Sequence, residues 1–446
     1  MTLKLRLSRL LADHGMVLVL LLLCAYFSVA TLTSQSATGA EAARQVADTI
    51  LSTPGGSPRV LLAVSNQPGD SEFAAELERL LAGSGAQILG VARGEPRQAR
   101  DALQEIQKRG GRLDVIACTP ASGAWLVFSD LQTDFPALGN PHRIVPQEHR
   151  WPNFLKPGNL LNIANQIAVI AIVAIGMTFV IITGGIDLSV GSLIALSAVL
   201  TARFIRDYAG GTGAGTWGMV VSSLAAIAAC GLLGAFTGGM ITRFGIPPFI
   251  VSLAMMLVSS GLAYILAQGQ SIYQLPDSFV WLGRGADLVH LPNAVVLMVV
   301  LYALAHLLMT RTKHGRYLYA VGGNREAARL SGVPVRRVLL TAYVASALLA
   351  GLGGVIMASQ LKSGSATYGN MYELYVIAAV VVGGTSLSGG EGRMLGTLTG
   401  AFTIAVIQNG MNLTNVESYT QKVVLGAVIL GAVLLDRIRS RTREPQ

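Results

Sequence analysis

The sequence predicts an α-helical polytopic membrane protein of about ten transmembrane helices, with a small α/β domain inserted near the N-terminus. Three observations carry this. The 446 residues are 52% hydrophobic and 13% charged, where a soluble chain carries about 25% charge. Apolar runs of roughly bilayer-spanning length recur from residue 15 to residue 436. Between the first and second runs lies a long polar interval that alternates between strand and helix periodicity. The segments expected are 1–33 (tail and first span), 34–158 (tether plus domain), 159–437 (membrane core) and 438–446 (a basic tail).

The first span is 15–33. Others fall near 160–183, 188–206, 217–242, 247–267, 293–310, 338–359, 372–383, 394–411 and 420–436, of which 372–383 is short. Ile246-Pro247-Pro248 suits the start of a helix. The 51 glycines fit closely packed transmembrane helices. Lys4, Arg6 and Arg9 followed by an apolar run resemble a signal peptide ending at Ser28-Val29-Ala30. The run of 19 residues is too long for that and reads as a retained span.

Orientation follows from Lys and Arg. With the N-terminus inside, the interior segments hold Lys4, Arg6, Arg9, Arg243, the basic group from Arg311 to Arg337, Arg393 and the arginines from Arg437 to Arg443. The short exterior loops hold only Arg203, Arg206, Arg284, Lys362 and Lys422. The bias is about threefold and places both termini in the cytoplasm, with 34–158 outside. The net charge of +9 comes from these span ends, so it does not indicate nucleic-acid binding. Cys24, Cys118 and Cys230 form no pairing framework, and Cys118 reads as a small core hydrophobe.

In the polar interval, 34–58 reads as a tether, with room for one short helix, ending in a Pro-Gly-Gly break. Arg59–Ser65, Ala86–Ala92 and Asp114–Cys118 read as strands. Ser71–Ala82, with Ser71 as N-cap, and Pro96–Arg109 read as helices. The alternation predicts a parallel βαβαβ-like unit. Its first turn, Asn66-Gln67-Pro68-Gly69-Asp70, has no dinucleotide fingerprint, so the unit reads as an interaction or spacer domain. His142 and His149 lack a third ligand at metal spacing and read as surface residues. No metal or cofactor is expected.

In the membrane part, Gly322 to Arg337 holds a short Glu-Ala-Ala helix between two apolar segments, with Arg311, Lys313 and Arg316 before it and Arg336 and Arg337 after. Such a helix can dock into a groove of another protein and pass movement to its spans. Asp187 and Ser189 lie in Gly184-Gly185-Ile186-Asp187-Leu188-Ser189-Val190-Gly191, where Asp187 suits an N-cap and a polar point on a transport route. The pattern G-G-x-x-L-S-x-G recurs at Gly383–Gly390, 199 residues on, which hints at an internal duplication. Asn165, Gln166, Glu373, Gln408 and Asn409 are further polar residues at membrane depth, suited to lining a route or joining helices. His306 lies near the cytoplasmic end of its span and snorkels. No Lys follows a Gly, so there is no phosphate loop and the chain is not its own ATP motor; no catalytic constellation stands out.

NLLNIANQ (159–166), TGGIDLSVGS (183–192), IPPFIVSLAMM (246–256), GRYLYAVGGNREAARLSGV (315–333) and YELYVIAAVVVGGTSLSGGEGRMLGT (372–397) carry a resemblance. From about Phe154 to Arg437 the chain resembles the membrane-spanning permease subunits of ribose-type carbohydrate ABC importers. The resemblance implies a non-enzymatic transport subunit of the bacterial inner membrane that moves a monosaccharide. It implies ATP-binding subunits, a second permease copy or close relative, and an extracytoplasmic sugar-binding protein as partners, with lipid around the spans. Asn324, Glu326, Ala327, Ala328 and Gly332 match the coupling segment that meets the ATPases. Two features depart from the pattern: Tyr375, where relatives often carry Asp, and the insertion at 34–158. Within the class, a nucleoside, polyol or furanose signal is an alternative substrate. A receptor sensing through the outer domain is an alternative of another class. A secondary transporter is disfavoured, because no acidic relay is present.

Overall fold

The computed structural model describes residues 3–52, 56–288 and 290–441, without the side chains of 3–14, 432 and 435–441. Of the expected Pro-Gly-Gly break, Pro54 and Gly55 lie outside the described residues, as do 442–446 of the basic tail. The chain divides into two compact units, Leu32–Pro152 and the remainder.

Helix α1 (Leu3–Ala30) belongs to the second unit. The Leu32–Pro152 unit then runs β1 (Leu32–Ser36), α2 (Gly39–Leu51), β2 (Arg59–Ser65), α3 (Asp70–Leu81), β3 (Gln87–Gly94), α4 (Pro96–Lys108), β4 (Val115–Cys118), β5 (His142–Ile144) and β6 (Glu148–Pro152). Four parallel strands pair in the order β3-β2-β4-β5, the doubly wound arrangement. The period of two in RVLLAVS explains both faces. Val60, Leu62 and Val64 pack under α2 and α3, while Leu61 and Ala63 join Leu103, Ile116 and Cys118 beneath α4. Asp114 accepts from Arg59 N at 3.0 Å and Arg59 Nε at 3.3 Å, tying the starts of β2 and β4. Burial alone would raise the Asp114 carboxyl, but the hydrogen bonds and charge of Arg59 outweigh it and hold it below the usual carboxylate range. Burial pushes the Cys118 thiol up to about 12.

Three expectations need correction here. The one short helix allowed for in 34–58 is present as α2, but it is packed rather than part of a loose tether: it buries Ala42, Ala43, Val46, Ala47 and Ile50, a stripe whose alanines raise little apolar signal. Ser71 is not the cap of α3, which begins at Asp70 after Gly69 at φ +91°, because the Asp70 carboxylate turns back to accept from Ser65 N at 3.0 Å. The unit ends at Pro152, not 158. Its first and last strands, β1 and β6, pair antiparallel from Leu32–Pro152 to Ser36–Glu148. His142 and His149 are exposed on strands β5 and β6.

In the other unit the long helices are α5 (Pro157–Ile182), α6 (Val190–Tyr208), α7 (Thr216–Phe244), α8 (Pro248–Ala267) and α9 (Asn293–Arg311). Two short helices follow, α10 (Lys313–Gly323) and α11 (Arg325–Leu330). Then come α12 (Val335–Leu361), α13 (Tyr372–Val382), α14 (Met394–Leu413) and α15 (Ser418–Arg441). Among the described residues, α5, α7, α8, α9 and α12 are long and apolar enough to cross a membrane. Helix α13, at 11 residues, rises only about 16 Å, half of a hydrocarbon core.

Helix α12 is the hub, packed along α5, α6 and α7. Glycines permit this. A Cβ on Gly176 would stand 2.5 Å from Ser346 Cα, and one on Gly354 would stand 2.4 Å from the Ile194 carbonyl oxygen. Helix α13 lies on α14 in the same manner: a Cβ on Gly400 would stand 2.0 Å from the Ala379 carbonyl oxygen. Without water to expel between apolar helices, close backbone approach supplies the dispersion contacts that hold them together.

Candidate functional site

The Glu-Ala-Ala segment forms a six-residue helix fixed at both ends. At its start the Asn324 side chain accepts from Ala327 N at 2.9 Å. At its end Gly332 takes φ +81°; its amide donates to the Arg329 carbonyl, and Val333 N donates to the Ala328 carbonyl, both at 3.0 Å. Glu326 pairs with Arg329 on the exposed face. Arg325, Ala327 and Leu330 are also exposed, Leu330 at 78%. Ala328 is buried against its own chain, so the Ala pair is divided between the free face and the anchoring face.

Immediately upstream, α10 is wedged into two turns. A Cβ on Gly322 would fall 1.7 Å from the Ile182 carbonyl oxygen and 2.5 Å from Gly390 N. Gly390 N itself donates to the Ile182 carbonyl at 2.8 Å, and the Tyr319 hydroxyl donates to the Gly392 carbonyl at 2.7 Å. The end of α10, the turn after α5 and the loop after α13 therefore meet through backbone atoms. The sequence reading missed Gly322. Gly322-Gly323 ends α10, and a missing side chain is all the mark such a contact leaves in the sequence.

The two glycine strings build one kind of turn. After α5, Gly184 (φ +76°) donates to Ile181 and Gly185 to the Val180 carbonyl. After α13, Gly384 (φ +87°) donates to Val381 and Thr385 to the Val380 carbonyl. Gly184 thus corresponds to Gly384, one residue out of step with the sequence strings. The first turn is stitched to the hub. Asp187, 1% exposed, accepts from Ser189 N at 3.0 Å and Ser189 Oγ at 2.6 Å with one oxygen, and from Ser346 Oγ of α12 at 2.9 Å with the other. The helix cap is Ser189, and Asp187 orders the turn before it.

The polar residues expected on a transport route are dispersed. Asp187 and Ser189 are buried in the stitch just described. Asn409 exchanges two amide hydrogen bonds with Asn159, at 2.9 and 3.0 Å, and joins α14 to α5. Asn165 takes Gln360 Nε2 on its carbonyl at 3.3 Å and reaches the Gly283 carbonyl at 3.4 Å. Gln166 and Gln408 face one cavity of about 290 Å³ with Gln360, Tyr372 and Tyr375. Glu373 faces another, of about 250 Å³, beside Ser192, Thr367 and Asn370, and its carboxylate lies over Gly191. Gln360 and Tyr372 escaped the sequence reading because polar residues at span ends look interfacial. Among the described residues no cluster of His, Cys, Asp and Glu could hold a metal ion.

A family described as "Branched-chain amino acid transport system / permease component" matches residues 159–433. The ribose import permease protein RbsC of Bacillus subtilis is 45% identical over 299 residues, 65% of this chain and 88% of the relative. The L-arabinose ABC transporter permease protein AraH of Azospirillum brasilense is 35% identical over 292 residues, 66% of this chain and 84% of the relative. The D-allose transport system permease protein AlsC of Escherichia coli K12 is 33% identical over 288 residues, 65% and 86% respectively. No solved structure matches the chain significantly.

Proposed function

The chain belongs to this family of membrane-embedded permease components, and from that premise we propose that it is the permease subunit of an ATP-driven importer of a monosaccharide. The family description names amino acids, whereas the three relatives are named for ribose, L-arabinose and D-allose. The relatives resemble this chain residue by residue, so they weigh more for substrate class. The chain is a transport component rather than an enzyme, and it is a multi-pass protein of the inner membrane. A second permease copy or close relative completes the route, ATP-binding subunits sit beneath it, and a sugar-binding protein delivers from outside.

About ten crossings, with both termini and residues 324–332 in the cytoplasm, fit the Lys and Arg distribution. Exposed aromatics support the same arrangement. Tyr208, Trp217 and Tyr419 lie at helix ends, and Tyr273 and Trp281 in the stretch between α8 and α9, all where the charge count puts the outside and where amphipathic rings prefer the headgroup level. Residues 32–152 are then extracytoplasmic, and the unit meets the binding protein or replaces part of its docking surface.

One observation carries the coupling role: a capped helix with an exposed face is joined through Gly322 to the turns after α5 and α13. A push on Glu326, Ala327 and Leu330 passes through Asn324 and Gly323 to Gly322, which abuts Ile182 and Gly390. Asp187 and Ser346 then carry the first turn's movement into α12. Replacing Glu326 and Gly332 together should leave ATP hydrolysis by the assembled complex running while sugar uptake into proteoliposomes falls by at least tenfold, about 1.4 kcal/mol of lost coupling. Uptake at the wild-type rate would remove this segment from the mechanism.

A further inference from the structure

We infer that the uncharged cavity between α5, α12, α13 and α14 binds one neutral, polyhydroxylated ring, held by Gln408, Tyr375 and Tyr372. This deepens the import reading and rests on it. The polar lining is Gln166, Gln360, Tyr372, Tyr375 and Gln408, contributed by all four helices, and no charged residue lines the space. Its apolar lining is Ile167, Ile170, Met357, Leu361 and Ala405. Among the described residues, the Gln408 amide and the Tyr372 and Tyr375 hydroxyls have no hydrogen-bond partner. Gln166 donates to Asn162 at 3.3 Å, and the Gln360 side-chain amide donates to Asn165 at 3.3 and 3.5 Å, so both side chains retain acceptor capacity. The Tyr372 and Tyr375 rings stand edge to face at 6.2 Å.

This is the chemistry a sugar ring needs. Its hydroxyls each donate and accept, and an amide or a phenol can answer either need. Its C–H faces lie on aromatic and aliphatic surface. A volume of about 290 Å³ is at the small end for ligand pockets, which favours a single ring over a disaccharide. An anionic ligand would be stripped of water with no cation to receive it. The cavity therefore selects neutral sugars over their phosphates. The Glu373 cavity, with its carboxylate, does not share this selectivity.

The full chain in lipid nanodiscs can be tested by saturation-transfer NMR with D-ribose, D-allose and L-arabinose. At least one should receive saturation, and D-ribose 5-phosphate should receive none. Gln408→Leu should weaken binding about tenfold, the loss of one well-made hydrogen bond. Tyr375→Phe, which keeps the ring and the packing, should weaken it by about threefold. The proposal fails if none of the three sugars receives saturation, if the phosphate matches the free sugar, or if both variants bind as wild type while eluting as a single species. ATP-driven uptake is measured in parallel. Intact uptake alongside a failed binding test removes the cavity and leaves the importer reading in place, whereas absent uptake of every sugar removes that reading.

Discussion

The two units of this chain exclude solvent by opposite means. In the Leu32–Pro152 unit, burial comes from side-chain volume: Phe73, Leu77, Leu81 and Leu103 are essentially inaccessible, and Gly83 and Gly110 have open space where a Cβ would go. In the membrane unit, backbone touches backbone, as at Gly176, Gly322, Gly354 and Gly400. Water drives the first kind of core, because apolar side chains leave it for one another. Surrounding lipid is as apolar as the helices, so the second kind depends on close contact alone. The two units should therefore fail under different substitutions.

The largest effect is expected at Gly322. Gly322→Val forces a side chain into the Ile182 carbonyl and should cost more than ~3 kcal/mol, with loss of uptake, whereas Gly323→Ala next door meets nothing within 4 Å and should behave as wild type. Equal tolerance at the two positions, read by thermal unfolding and uptake, would break the comparison. Next comes Phe73→Ala, which should destabilise the inserted unit by ~3–5 kcal/mol. Hydrogen exchange should quicken in β2 and stay unchanged in α5; quickening in both would show one cooperative core rather than two.

The smallest effect is expected at Asp114→Asn. The Asp114 carboxyl titrates below its unfolded value of about 3.9, so its stabilisation is present at neutral pH and is lost as the pH falls through the folded value. Arg59 and Asp114 are each more than a third exposed, so solvent screening limits the difference to ~1 kcal/mol or less. Unfolding curves of wild type and variant should separate at pH 7 and converge in acid. A gap that persists below pH 3 would assign the effect to packing instead of charge.

The comparison also explains what could be read in advance. RVLLAVS, SEFAAELERLLA and DVIAC announce themselves through period and volume: β2 has the bounds read from the sequence, and α3 and β4 differ from theirs by one residue. The α2 stripe was hidden because Ala42, Ala43 and Ala47 are too small to raise an apolar signal among polar neighbours. The short Glu-Ala-Ala helix was legible as a local pattern between two apolar segments, and the structure adds Asn324 as its N-cap and Gly332 at its left-handed end. Gly322 against Ile182 and Gly390 was not, because a backbone contact between distant segments leaves no mark but the missing side chain. The amide candidates were divided by partners the sequence does not pair: Asn409 found Asn159, while Gln408, one residue earlier, faces open space.

Where the inserted unit joins its host, the wiring has an engineering consequence. Asn153 N donates to the Thr31 carbonyl at 3.0 Å and Phe154 N to Thr31 Oγ at 3.1 Å, so the host chain already lies side by side at the point of departure and return. Within the inserted unit, its first and last strands, β1 and β6, pair antiparallel as a two-stranded stem. A foreign domain whose ends lie close together could be grafted onto this stem, or the stem could be clipped to a tight hairpin, without asking Phe27 or Phe154 to leave their seats. Evolution can therefore exchange the Leu32–Pro152 unit of such a chain while the helices of the other unit keep their fold.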